Sequence, residues 1–139
     1  MSLSIRNQFP GTVTAVTPGE AMATVKVRLD SGQDLTAAIT VDAVDDLGLT
    51  VGRAVTALVK STEVALATAP VAGLSIRNQF PGTVADIASG VAMSAVKVSV
   101  TAGEITAAIT QESAAELGLA VGSSVTALIK STDVALATA

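Results

Sequence analysis

Cysteine, histidine, tryptophan and tyrosine are all absent from this chain of 139 residues, and phenylalanine occurs only as Phe9 and Phe80. Lacking cysteine, the chain can form no disulfide. Lacking histidine as well, it offers a metal neither thiolate nor imidazole ligands. Nucleophilic or acid–base chemistry would rest on Ser, Lys, Asp and Glu alone. Two rings and a net charge of −4 argue against nucleic acid, whose single-stranded binders use stacking aromatics and a basic groove, and against acidic membranes. Uncharged stretches such as residues 64–76 run to about 13 residues and contain Pro or Gly, too short for a membrane-spanning helix. No basic segment followed by an apolar core opens the chain, so the expectation is a soluble, cytoplasmic protein.

What is present is a repeat. Leu3 to Val13 recurs unchanged as Leu74 to Val84, and Lys60-Ser61-Thr62 recurs as Lys130-Ser131-Thr132. Residues 3–69 align with 74–139 after deletion of one residue following Gly32, and about 41 of the 66 aligned positions are identical. Two copies of one small domain are expected, at 1–69 and 74–139, with a linker at 70–73. A unit of roughly 65 residues buries too little surface to be robust alone. With disulfides and metals removed from the options, association between units is the remaining support. Half the residues are apolar, which also fits an extensive subunit interface.

Each copy reads as mostly strand. Leu3 to Phe9 alternates apolar and polar residues, Pro10-Gly11 bends or breaks it, and Thr12 to Val16 continues as a second strand. Met22 to Leu29 alternates cleanly, with Ala23, Val25, Val27 and Leu29 on one face. Asp30-Ser31-Gly32 turns the chain into a strand over Leu35 to Thr40. Asp42 to Leu47 and Glu112 to Leu117 form one short helix per copy, stopped by Gly48 and Gly118. Ala54 to Lys60 is the next strand, and Val64 to Ala67 closes the unit. The fold expected is mainly β: two tandem OB-like β-barrels, each with one short helix.

Six of the eight basic residues are matched between copies: Arg6 with Arg77, Lys26 with Lys97, and Lys60 with Lys130. Ser4 and Arg6, two apart on a strand, would project a hydroxyl and a planar guanidinium together, a pairing suited to an oxyanion. Lys60-Ser61-Thr62 ends a strand, where freed backbone N–H groups could join the Ser61 hydroxyl as donors. Thr40 precedes the helix and could cap it while facing an anion. Each feature also has an ordinary reading: an exposed strand face, a turn, a simple cap. Asp42, Asp45 and Asp46 become Glu112, Ala115 and Glu116 in the second copy, as a solvated helix face would. No nucleophile elbow or phosphate-binding glycine loop is present, and no enzyme is expected. An assembly module without a ligand is the alternative.

The Leu-Ser-Ile-Arg-Asn-Gln-Phe segment, the Ala-Ala-Ile-Thr segments at 37–40 and 107–110, the Leu-Gly-Leu-x-Val-Gly helix end and the Lys-Ser-Thr strand end resemble the molybdenum-pterin-binding (Mop) domain of the molbindins. The likeness covers nearly the whole chain, twice, as in a tandem (di-Mop) molbindin without an attached DNA-binding or ATPase domain. It implies intracellular molybdate binding, storage and homeostasis, with tungstate also accepted, in a homotrimer of six barrels. By position it implies oxyanion ligands Ser4, Arg6 and Asn7 of one barrel with Thr40, Lys60 and Ser61 of a neighbour. The second set is Ser75, Arg77 and Asn78 with Thr110, Lys130 and Ser131. No side chain would ligate molybdenum directly.

Overall fold

A computed structural model of the chain describes residues 2–69 and 71–139; Pro70, in the expected linker, and Met1 lie outside the described residues. Ten strands and two short helices follow in order. The first repeat contains β1 (Asn7–Pro18), β2 (Met22–Leu29), β3 (Asp34–Thr40), α1 (Val41–Leu47), β4 (Ala54–Val59), a 3-10 turn (Ser61–Glu63) and β5 (Ala65–Ala67). The second contains β6 (Asn78–Ser89), β7 (Met93–Val100), β8 (Gly103–Thr110), α2 (Gln111–Glu116), β9 (Ser124–Ile129), a 3-10 turn (Ser131–Asp133) and β10 (Ala135–Ala137). The architecture is mainly β, in two OB-like units with one short helix each.

β1 begins at Asn7, so Leu3 to Arg6 is irregular chain rather than strand, and it runs unbroken through Pro10-Gly11 to Pro18. Both expectations for this stretch are corrected, and the reason is local. The Pro10 carbonyl accepts from Asp30 N–H, so the proline nitrogen faces the β2–β3 turn, beyond the last β1–β2 pair, Gly11 with Leu29. A missing N–H there costs no ladder bond. Gly11 is needed because a Cβ would lie 2.6 Å from the Arg28 carbonyl oxygen and 2.8 Å from Val27 Cγ1. β2 matches its expected span, with Ala23, Val25, Val27 and Leu29 buried and the alternate residues exposed.

Each sheet has five strands, in the orders β10-β4-β1-β2-β3 and β5-β9-β6-β7-β8. The short last strand of each repeat therefore completes the sheet of the other. This overturns the expectation that Val64 to Ala67 closes its own unit. Ala65, Leu66 and Ala67 pair with Leu128, Ala127 and Thr126, while Ala135, Leu136 and Ala137 pair with Leu58, Ala57 and Thr56. The 3-10 turn at Ser61–Glu63 directs the chain away from its own sheet and packs on β8 of the second repeat; its counterpart at Ser131–Asp133 packs on β3. The core is correspondingly shared. Phe9, Val25, Val27, Leu35 and Val59 of the first repeat form one buried cluster with Phe80, Ile105, Ile129 and Val134 of the second.

Candidate oxyanion site

β4 and β9 each end in Lys-Ser-Thr, where the chain leaves extended geometry (Lys60 φ −65°, ψ 142°) and winds into the 3-10 turn. In both turns the first backbone bonds begin at the third turn residue: Glu63 N–H donates to the Lys60 carbonyl at 3.0 Å and Asp133 N–H to the Lys130 carbonyl at 2.9 Å. The N–H groups at the start of a helical turn have no acceptor within it. The hydroxyl oxygens of Ser61 and Ser131 are the buried side-chain polar atoms that, among the described residues, lack any hydrogen-bond partner. A buried orphan hydroxyl costs about 1–3 kcal/mol, and its occurrence at equivalent places in both repeats needs an explanation.

The segment bearing the arginine lies beside this turn. Ser75, Ile76, Arg77, Lys130, Ser131 and Thr132 line one open pocket of about 340 Å³. Four of the six residues in the second expected set thus line one pocket within a single repeat. The guanidinium is folded back on its own chain: Arg77 Nε donates to the Ser75 carbonyl at 3.2 Å and a terminal nitrogen to that of Leu74 at 3.3 Å. Arg6 repeats this with the Ser4 and Leu3 carbonyls at 3.1 and 2.9 Å. Lys60 lines a second pocket, of about 220 Å³, with Ile5, Glu63, Thr132 and Asp133. There two carboxylates offset its charge without forming an ion pair.

The remaining expected residues are placed elsewhere. Thr40 and Thr110 cap α1 and α2, their hydroxyl oxygens accepting from Ala43 and Ser113 N–H at 3.1 Å. They line neither pocket. Asn7 and Asn78 are buried, and both side-chain heteroatoms of each bond backbone groups of the opposite repeat. Thr132, which the expected sets omit, does line both pockets; its place in the duplicated Lys-Ser-Thr block was the available signal. Of the unmatched cations, Arg28 is held by Asp34 across the β2–β3 hairpin, and hydrogen bonding to that carboxylate raises its pKa. Among the described residues no cluster of three or more Asp or Glu side chains could hold a metal ion.

Two exchanged five-stranded units, each with a Lys-Ser-Thr turn and in the second an arginine beside it, define a tandem OB-like protein with anion-suited donor groups. Residues 3–66 and 74–136 both match the TOBE domain. The chain belongs to that family, as a tandem Mop-domain molbindin. The cytoplasmic molybdate-binding protein ModG, solved with molybdate bound, is similar over 100% of both chains, with a TM-score of 0.96 and 39% sequence identity. The molybdenum transport protein ModE of Azotobacter vinelandii is 40% identical over 138 residues, covering 99% of this chain and 51% of its own. The molybdenum-pterin-binding protein MopB of Rhodobacter capsulatus is 43% identical over 136 residues, covering 96% of this chain and 50% of its own. The chain spans about half the length of these two relatives.

Proposed function

We propose that this protein binds molybdate in the cytoplasm as a store or buffer, without catalysis, and accepts tungstate by the same contacts. The observation that carries this reading is the pair of buried, unpartnered Ser61 and Ser131 hydroxyls, each adjoining a lysine and an open helical turn. In the second repeat an arginine shares that pocket. Similarity along the whole chain to molybdate-bound ModG supports it.

Molybdate is a tetrahedral dianion at neutral pH. One arginine and one lysine balance its charge, and serine hydroxyls with backbone N–H groups donate to its oxygens. Binding draws the guanidinium away from its own carbonyls, so part of the interaction energy replaces those internal bonds. Ser61 and Ser131 exchange no such bond, and the full benefit of satisfying them accrues to the complex. Association into a homotrimer of six barrels would add donors from neighbouring chains, including the Thr40 hydroxyl; that of Thr110 is engaged by Ser113. Ligand would then stabilise the assembly by mass action, by about 2.7 kcal/mol at a hundredfold excess over Kd.

The test is equilibrium dialysis of the purified protein against molybdate in excess sulfate, with bound molybdenum quantified per chain. Saturable, sulfate-resistant uptake is expected, weakened in one class of site by Arg6→Ala and in another by Arg77→Ala. Absence of uptake would leave the chain an assembly module, a role to which the exchanged strands and shared core are equally suited.

A further inference from the structure

The two buried asparagines do something the anion chemistry does not require. Asn7 Nδ2 donates to the Thr106 carbonyl at 2.9 Å, and its Oδ1 accepts from Thr106 N–H at 2.8 Å. Asn78 makes the same pair of bonds with Thr36, both at 2.8 Å. Thr106 lies on β8 and Thr36 on β3, the edge strands of the two sheets. Their bonded N–H and carbonyl point outward, away from β7 and β2. Each asparagine thus supplies, in one side chain, the two bonds that a further strand would give an open edge.

The position of the clasp gives it a second consequence. Asn7 and Asn78 are the first residues of β1 and β6. Immediately before them, residues 3–6 and 74–77 are irregular and carry the arginines. These segments are tied mainly to themselves, by the arginine bonds described above and by Gln8 and Gln79, whose side chains donate to the Ile5 and Ile76 carbonyls at 2.9 and 3.1 Å. The Ser61–Glu63 turn of the first repeat also packs on β8, the strand that Asn7 grips. The strand that follows the arginine-bearing segment and the Lys-Ser-Thr turn of the first repeat are therefore both held against one strand of the second repeat, and the converse holds for β3.

We infer that Asn7 and Asn78 are positioning residues, each fixing the arginine-bearing segment of its own repeat against the edge strand of the other. The inference rests on the oxyanion reading for its functional consequence, namely that each site depends on the opposite repeat. It assigns the asparagines to holding the site rather than to touching the anion.

Thr106→Pro is the discriminating variant. Its N–H serves only the Asn7 clasp, and proline is tolerated on an edge strand where no ladder bond is lost. Thr106→Pro and Asn7→Ala are each placed in the Arg77→Ala background, which retains the Arg6 class of site, and in the Arg6→Ala background, which retains the other. In the first background, molybdate affinity should fall about tenfold or more, the scale seen when residues supporting a ligand shell are lost. In the second it should change less than about twofold. Equal loss in both backgrounds, or loss in neither, would overturn the inference; if Thr106→Pro does not fold, amide exchange in Asn7→Ala decides, faster exchange at residues 3–6 with unchanged rates at 74–77 supporting it and unchanged rates at both refuting it. If the Arg77→Ala parent takes up no molybdate, the oxyanion reading fails by itself. The positioning role is then decided by amide exchange in the same proteins. Faster exchange at residues 3–6 with unchanged rates at 74–77 supports it, and unchanged rates at both refute it.

Discussion

Leu66 sits opposite Ala127 in an antiparallel pair, although the two residues belong to different repeats. Leu136 stands in the same relation to Ala57. Neither repeat has a complete sheet without the other's last strand, and the buried cluster joining Phe9 to Phe80 makes the two halves one cooperative unit. A fragment of residues 2–69 retains β4 and β5; β5 is identical to β10, and Thr56 to Leu58 of β4 are identical to Thr126 to Leu128, which β5 meets in the exchange. It should therefore form a dimer in which each β5 docks on the other copy's β4, as measured by sedimentation equilibrium. A folded monomer would contradict this.

This exchange could not have been read from the sequence. Val64 to Ala69 and Val134 to Ala139 are identical, so either segment satisfies either β4 or β9 side-chain for side-chain. What selects the partner is the direction in which the 3-10 turn launches the chain, a tertiary property. The span of β2, those of the two helices to within a residue, and the Thr40 cap were legible because alternation, helix stops and N-cap chemistry are local. Arg77 and Lys130 were legible as a pair through duplication. The burial of Asn7 was not, because an asparagine before Gln-Phe carries no mark that separates a ligand from a bridge to another strand.

Ser61 and Ser131 offer a test in which stability and binding move in opposite directions. Alanine at either position removes a buried hydroxyl that has no partner, so the ligand-free protein should be as stable as the parent or gain up to about 1–3 kcal/mol. Molybdate affinity in the corresponding class of site should fall. Thermal melts with and without molybdate report both quantities. A loss of ligand-free stability would show that these hydroxyls have protein partners.

Gly11 and Gly82 allow β1 and β6 to approach their neighbours closely. In Gly11→Ala the new Cβ meets backbone of β2 at 2.6 Å, and separating the strands should cost about 1–3 kcal/mol, the usual penalty for overpacking. For a protein of this size each kcal/mol lowers Tm by about 2–4 °C. Gly48→Ala also costs stability, but for a different reason: Gly48 has φ 61° and open space around it. Crystal structures of the two variants should show a displaced strand only for Gly11→Ala.

Thr40 and Thr110 cap equivalent helices but use their hydroxyl protons differently. Thr110 donates to Ser113 Oγ at 2.8 Å, whereas the Thr40 oxygen accepts from Ala43 N–H and its proton has no acceptor among the described residues. Each Thr→Ala change should cost about 0.5–2 kcal/mol as a lost N-cap. The two caps share no partner, so the losses should add in the double variant. If molybdate receives a hydroxyl proton at this position, the rise in Tm on saturation should shrink in Thr40→Ala and stay unchanged in Thr110→Ala. Ser113→Ala, which releases the Thr110 proton, should enlarge that rise. Equal responses in all three variants would confine both threonines to capping, and anion recognition would then fall to the arginine, lysine and serine groups alone.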